Sequence, residues 1–139
     1  MYKINWDNSF NTNIEIVDKQ HFDFINQLNK IFANDPGLNI SSYKQRMERI
    51  IAELLIHFAT EEKLMKDNSY TGFYSHKLEH DRFINKFRKQ AEELPTVKFS
   101  KTDDFLLSIE KWFVNHLEIN DKKMARFILQ VQNENGINI

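Results

Sequence analysis

The sequence predicts an all-α domain: an up-down-up-down antiparallel four-helix bundle preceded by an extended N-terminal arm. Three observations carry that reading. Three glycines and two prolines in 139 residues are too few for the tight turns of a β fold. Apolar residues recur three and four apart, the period of one helical face. The few helix breakers are well separated, and the short connections they leave between long segments favour antiparallel neighbours.

The arm covers residues 1–18, and its opening Met1 to Phe10 lacks the apolar run of a signal peptide. A first helix is expected over 19–33, with Phe22, Ile25, Leu28 and Phe32 on one face, closed by Asn34-Asp35-Pro36-Gly37. The second is expected over 42–66, where Ser42 and Gln45 form a capping box and the stripe reads Met47, Ile50, Leu54, Phe58 and Met65. Asp67-Asn68-Ser69 and Gly72 lead into a third helix over 73–94, carrying Phe83, Phe87 and Leu94 and stopped by Pro95. The fourth, over 101–132, starts near Ser100, boxed by Asp103, and presents Phe105, Ile109, Trp112 and Met124. Residues 1–139 thus form one domain, with no internal repeat, linker or low-complexity tract.

Composition narrows the chemistry. At 41% hydrophobic content a chain of this length buries its core without a staple, so a metal here serves function rather than folding. Nineteen basic against twenty acidic residues give a net charge of -1, scattered along the chain, which does not suit a nucleic-acid or anionic-membrane partner. Cysteine is absent, excluding disulfides, zinc-thiolate sites, iron-sulfur clusters and thiol catalysis. No apolar run reaches the length of a bilayer span, and a cytoplasmic, monomeric protein is expected.

Histidine and carboxylate remain as strong metal ligands, and every helix has a histidine: His21, His57, His76 and His80 together, and His116. Residues four apart on a helix lie about 40° off register, so His57 shares a face with Glu61, and His76 with His80. Both pairs continue the apolar stripes and should point inward. A lone histidine on such a face is usually a satisfied core residue. Burying five imidazoles with carboxylates and no partner would cost a few kcal/mol each, a sum comparable to a domain's whole stability of ~5 to 15 kcal/mol. Metal ions remove that cost. Glu62, out of register with His57, reads as an ordinary solvent-facing acid.

One competing motif exists, because His76-Lys77-Leu78-Glu79-His80 satisfies the H-x-x-E-H pattern of inverted zinc peptidases. That reading strands His21, His57 and His116 and asks for a larger scaffold. Glu79 should face solvent instead.

With these residues placed, the chain resembles the hemerythrins, specifically the single-domain bacterial type. The likeness runs through Trp6, Val17-Asp18-Lys19-Gln20-His21, His57-Phe58-Ala59-Thr60-Glu61-Glu62-Lys63-Leu64-Met65, His76-x-x-x-His80 and Trp112-x-x-x-His116-x-x-x-x-Asp121. It covers essentially the whole chain in order and uses every histidine. The resemblance implies a non-haem di-iron centre that binds dioxygen reversibly, as carrier, store or supply, with no catalytic residue. It implies His76, His80 and His116 on one iron, His21 and His57 on the other, Glu61 and Asp121 bridging, and an oxo or hydroxo bridge between the irons. The first iron then has six ligands and the second five, leaving one position for dioxygen. Imidazoles and carboxylates without thiolate independently suit iron or manganese, and less well zinc or copper. The alternative functions are a di-iron enzyme reducing peroxide or nitric oxide, or an oxygen or iron sensor.

By family position Phe24, Phe58, Trp112, Phe113 and Leu117 would line the dioxygen pocket. Phe24 and Phe113 stand where leucine is common, and the arm lacks the glycine often found before the first histidine. Lys122, Lys123 and Arg126 read as a solvated face. The spacing of His116 and Asp121 is geometrically awkward, since five residues at about 100° each end about 140° from alignment. Either a local π-type widening or an Asp121 reaching round from a flank is required.

Overall fold

The computed structural model describes residues 2–32, 39–94 and 102–136. They form helices α1 (Glu15–Phe32), α2 (Ile40–Asp67), α3 (Phe73–Glu93), α4 (Thr102–His116) and α5 (Lys122–Glu134), with a π-helical turn over Leu117–Asp121 between the last two. Backbone angles stay helical on both sides of that turn, so α4, the turn and α5 make one fourth rod. Among the described residues there is no strand. Among them, too, no helix is long and apolar enough to cross a membrane. The breakers Asn34-Asp35-Pro36-Gly37 and Pro95, the cap at Ser100, and the Phe32 side chain lie outside the described residues.

Two apolar cores reveal the topology. The larger gathers Leu28, Leu54, Phe83, Phe87, Leu106 and Phe113 among others; the smaller holds Ile14, Val17, Met65, Tyr70, Met124, Ala125 and Ile128. Helix α1 runs from the smaller core to the larger, α2 returns, α3 goes out again, and α4 to α5 comes back. That alternation is the up-down-up-down order the sequence predicts.

Several boundaries move, each for a local reason. Helix α1 begins at Glu15 rather than Lys19 because Ile14 and Val17 are fully buried and Asp18 secures the start: its carboxylate accepts from Thr12 N–H, Thr12 Oγ1 and Asn13 N–H. At α2 the cap is Asn39, whose side chain accepts from the Ser42 N–H, so Ser42 is a donor inside the first turn and not the expected capping residue. Helix α3 starts after Gly72, where a Cβ would come within 2.7 Å of the Tyr70 ring. Phe22 departs from its expected stripe: it is 47% exposed, and the inward face of α1 is Val17, His21, Phe24, Ile25, Leu28 and Ile31. Phe22 instead meets the edge of Trp6 in the arm.

The arm is tied down residue by residue. Tyr2 N–H donates to Asp103 and its hydroxyl to Glu110, both on α4. Ile4 is held at both backbone groups by Asn29 of α1, at 2.9 Å and 2.8 Å, and its side chain enters the larger core. A short 3₁₀ turn, Asn8–Phe10, capped by Asp7, then lays Phe10 against Phe113.

Candidate metal centre

Between the two cores lies a layer of polar side chains. Helix α1 supplies His21, α2 supplies His57 and Glu61, α3 supplies His76 and His80, α4 ends with His116, and the π turn ends with Asp121; all seven are buried. The His116–Asp121 spacing is resolved by the π turn, in which Lys122 N–H bonds to Leu117 O, five residues back. One wider turn brings residues five apart onto the same face. The structure thus takes the first of the two solutions the spacing allows.

The two carboxylates divide their oxygens between two groups of imidazoles. Glu61 Oε1 stands 3.0 Å from both His76 Nε2 and His80 Nε2, while Oε2 stands 2.8 Å from His57 Nε2 and 3.4 Å from His21 Nε2. Asp121 Oδ1 is 3.0 Å from both His76 Nε2 and His116 Nε2, and Oδ2 is 3.2 Å from His21 Nε2. Ligand atoms of Glu61, His76, His80, His116 and Asp121 all lie within 4.8 Å of one another, and those of His21, His57 and Glu61 do likewise. Two cation-sized donor sets therefore meet at shared carboxylates.

The donors are close but not all aligned as hydrogen bonds. His116 Nε2, Asp121 Oδ1 and Glu61 Oε2 are buried without an acceptable hydrogen-bond partner, despite separations of 2.8 and 3.0 Å. Orphaned buried polar atoms are costly. Ligands bonded to a cation at ~2.1 Å and at right angles stand ~3.0 Å apart, which fits the spacing here. Nitrogen and oxygen donors in these numbers fit a pair of borderline or hard divalent ions.

Without a cation, protons take over the compensation. Burial works against a charged His21, but the adjacent carboxylates of Asp121 and Glu61 outweigh it and raise the imidazole to about 10. His76 is raised to about 9 against the same burial by the same two carboxylates. For His57 burial dominates the pull of Glu61, and its pKa falls. Burial would raise both acids, yet His57, His21 and His76 hold Glu61 well below the usual carboxylate range, and His116 and His21 do so for Asp121.

The far sides of two imidazoles are also held. His57 Nδ1 meets Gln20 Oε1 at 2.8 Å, and the Gln20 amide in turn donates to Thr60 Oγ1. His80 Nδ1 meets Glu62 Oε2 at 2.9 Å. Glu62 is therefore not the solvent-facing acid its register suggests: its long side chain reaches from the flank of α2 to α3. Gln20 is legible only as part of a motif, because the residue before a candidate ligand gives no periodic signal. Glu79, by contrast, does turn outward and pairs with Arg82, leaving H-x-x-E-H without its acid in the cluster.

The expected pocket residues divide by what they touch. The Phe58 ring stacks on His80 at 3.9 Å, and Trp112 stacks both on His116 at 4.6 Å and on Phe83 at 3.4 Å. Phe113 meets His21 edge-on at 5.2 Å. Leu117 is fully buried in the larger core, and Phe24 lies against Phe87 in the same core.

The sequence profile of the hemerythrin HHE cation-binding domain matches residues 12–128. The chain is 26% identical over 113 residues to the bacteriohemerythrin of Methylococcus capsulatus, covering 81% of this chain and 86% of that one. It is 27% identical over 118 residues to the myohemerythrin of Theromyzon tessulatum, covering 85% and 88%. A crystal structure of wild-type hemerythrin superposes with a TM-score of 0.76 at 25% identity, over 90% of this chain and 97% of that one.

Proposed function

The chain belongs to the hemerythrin HHE family, and from that membership we propose that it binds dioxygen reversibly at a pair of iron ions inside the bundle. His76, His80 and His116 would hold one iron, His21 and His57 the other, with Glu61 and Asp121 shared between them. The observation that carries this assignment is the division of oxygens: each carboxylate turns one oxygen toward the three-histidine side and the other toward His21. The iron pair, when bound, supplies the redox-active centre at which dioxygen is held.

The chain's own residues favour binding over turnover. Five neutral imidazoles and two carboxylates give less anionic donation than the four acids and two histidines of ferritin-like bundles. Glu62 and Gln20 are engaged behind ligand rings, so neither is a free acid or base facing the cavity. Phe58, Trp112 and Phe113 lay apolar rings against His80, His116 and His21, a lining that would exclude water and disfavour charge separation there.

An anaerobic-to-aerobic visible spectrum of the iron-loaded protein tests the proposal. A charge-transfer band should appear with dioxygen and vanish on deoxygenation, through repeated cycles. Loss of the band in a single cycle, with steady consumption of dioxygen and reductant, would replace the carrier by a di-iron oxidoreductase.

A further inference from the structure

We propose that Thr60, whose hydroxyl bonds to none of the seven candidate ligands, is a positioning residue: it fixes which end of the Gln20 amide faces His57, and through that amide the ring nitrogen of His57 that carries the proton. The inference rests on the metal reading above and gives a role to two residues outside the ligand set.

Donor accounting runs inward from a backbone carbonyl. Thr60 has one hydroxyl proton, and it goes to Ile56 O, one helical turn back at 3.0 Å. Its lone pairs are left to accept, so the Gln20 side chain presents its NH2 there, at 3.1 Å. The amide oxygen then turns to His57 Nδ1 at 2.8 Å, and an acceptor at that distance requires the proton on Nδ1. A neutral imidazole carries one proton, so Nε2 keeps its lone pair, on the side of the ring where Glu61 Oε2 stands. That is the form in which the ring can bind a cation through Nε2.

An amide's two ends have nearly the same shape, so packing alone does not choose between them. Turned end for end, the Gln20 amide would donate to Nδ1 and drive the proton to Nε2, where it takes the lone pair a cation would use. The reversal also loses a hydrogen bond, because Thr60 must leave Ile56 O to serve the amide oxygen. No bond to Glu61 replaces it, since Glu61 Oε2 is not aligned as an acceptor from His57. On the other side of the cluster His80 Nδ1 meets the Glu62 carboxylate, whose two like oxygens need no such director. A third residue is therefore required behind His57 and not behind His80.

Ring 15N shifts of His57 in the metal-free chain, in slightly alkaline buffer, and chelator competition on the zinc-loaded chain test this together. The wild type should show Nδ1 protonated and Nε2 bare. Thr60→Val, which keeps the shape and removes the hydroxyl, should move both shifts toward an average and weaken zinc at the His21–His57 position about fivefold. Thr60→Ser should behave as the wild type. Gln20→Glu replaces the amide by a carboxylate that accepts from His57 whichever way it turns, so in that background Thr60→Val should be silent. Unchanged shifts and affinity in Thr60→Val, or the same loss in both backgrounds, overturns the proposal, the second result by reducing Thr60 to a packing residue. A wild type that holds no zinc would instead bring down the metal reading, while the metal-free shifts would still decide the tautomer.

Discussion

At the scale of single residues, the two halves of the cluster are backed differently. His80 rests on an anionic carboxylate, Glu62, whereas His57 rests on a neutral amide, Gln20. Outer partners of ligating histidines fix the tautomer and raise basicity, and losing one costs ~10 to 100-fold in metal affinity. Glu62→Ala should therefore weaken zinc retention at the three-histidine position by at least ~10-fold. Glu62→Gln, which keeps an acceptor but not the charge, should fall in between. Chelator competition on zinc-loaded protein reads both; equal affinities for wild type and Glu62→Ala would show that His80 is oriented by packing against Phe58 alone. Of the seven candidate ligands, His57, Glu61, His76 and His80 were legible because a helix period links them to apolar stripes; Asp121, about 140° off the register of His116, came only with the family resemblance. Glu62 was not legible, since reach along a flexible side chain leaves no trace in periodicity.

At the scale of elements, helix ends leave a weaker trace in the sequence than internal spacing does. The π turn was foreseeable because a misfit of about 140° has few remedies. The start of α2 was not, because Ser42 with Gln45 imitates a capping box while Asn39, three residues earlier, makes the bond. Asn39→Ala should cost about 1 kcal/mol of unfolding free energy, and Ser42→Ala less than ~0.5 kcal/mol, since only its backbone N–H takes part. Denaturant melts of both variants decide it; the reverse order would return the cap to Ser42. Phe22 misled for a related reason: in a helix covered by an arm, an aromatic can serve the arm instead of the core. Its ring against Trp6 is a contact between distant segments that a periodicity of three and four cannot distinguish from burial.

At the scale of the whole molecule, the ligand layer makes stability depend on pH in a way that metal should abolish. In the metal-free chain, Glu61 and Asp121 have lowered pKa values, so their contribution is complete above the ordinary carboxylate range, declines below it, and is lost as pH falls through their lowered folded values. His57, also lowered, contributes fully above its ordinary 6.5 and less below. His21 and His76 are raised to about 10 and about 9, so they stabilise fully below 6.5 and lose that contribution as pH rises through those values. Metal-free protein should accordingly melt highest near pH 6.5, with Tm falling on both sides. Metal-loaded protein should lack the alkaline decline, because its imidazoles are already neutral ligands. A flat alkaline limb in the metal-free protein would remove His21 and His76 as proton holders. The four-rod order was legible in the sequence; the partition into two cores was not, because the stripes pass through the histidines without a break and give Met65 and Met124 the same standing as Leu54 and Phe105.

That partition carries a consequence for cooperativity. The smaller core, built from Ile14, Val17, Met65, Tyr70, Met124, Ala125 and Ile128, touches the larger one only across a stratum of charged and imidazole groups. Apolar contact is what usually binds neighbouring regions into one unfolding unit, so a polar stratum is a natural seam for sub-global opening. Without metal, amide protons of Met124 and Ile128 should exchange with solvent deuterium by a low-energy opening that leaves Leu54 and Phe87 protected. With metal, bonds from all four rods cross the seam and the two ends should exchange together, at the rate of global unfolding. The cation pair would then be a rivet between two foldons as well as a binding site, and uniform protection in the metal-free protein would show that the helices alone make the bundle one unit.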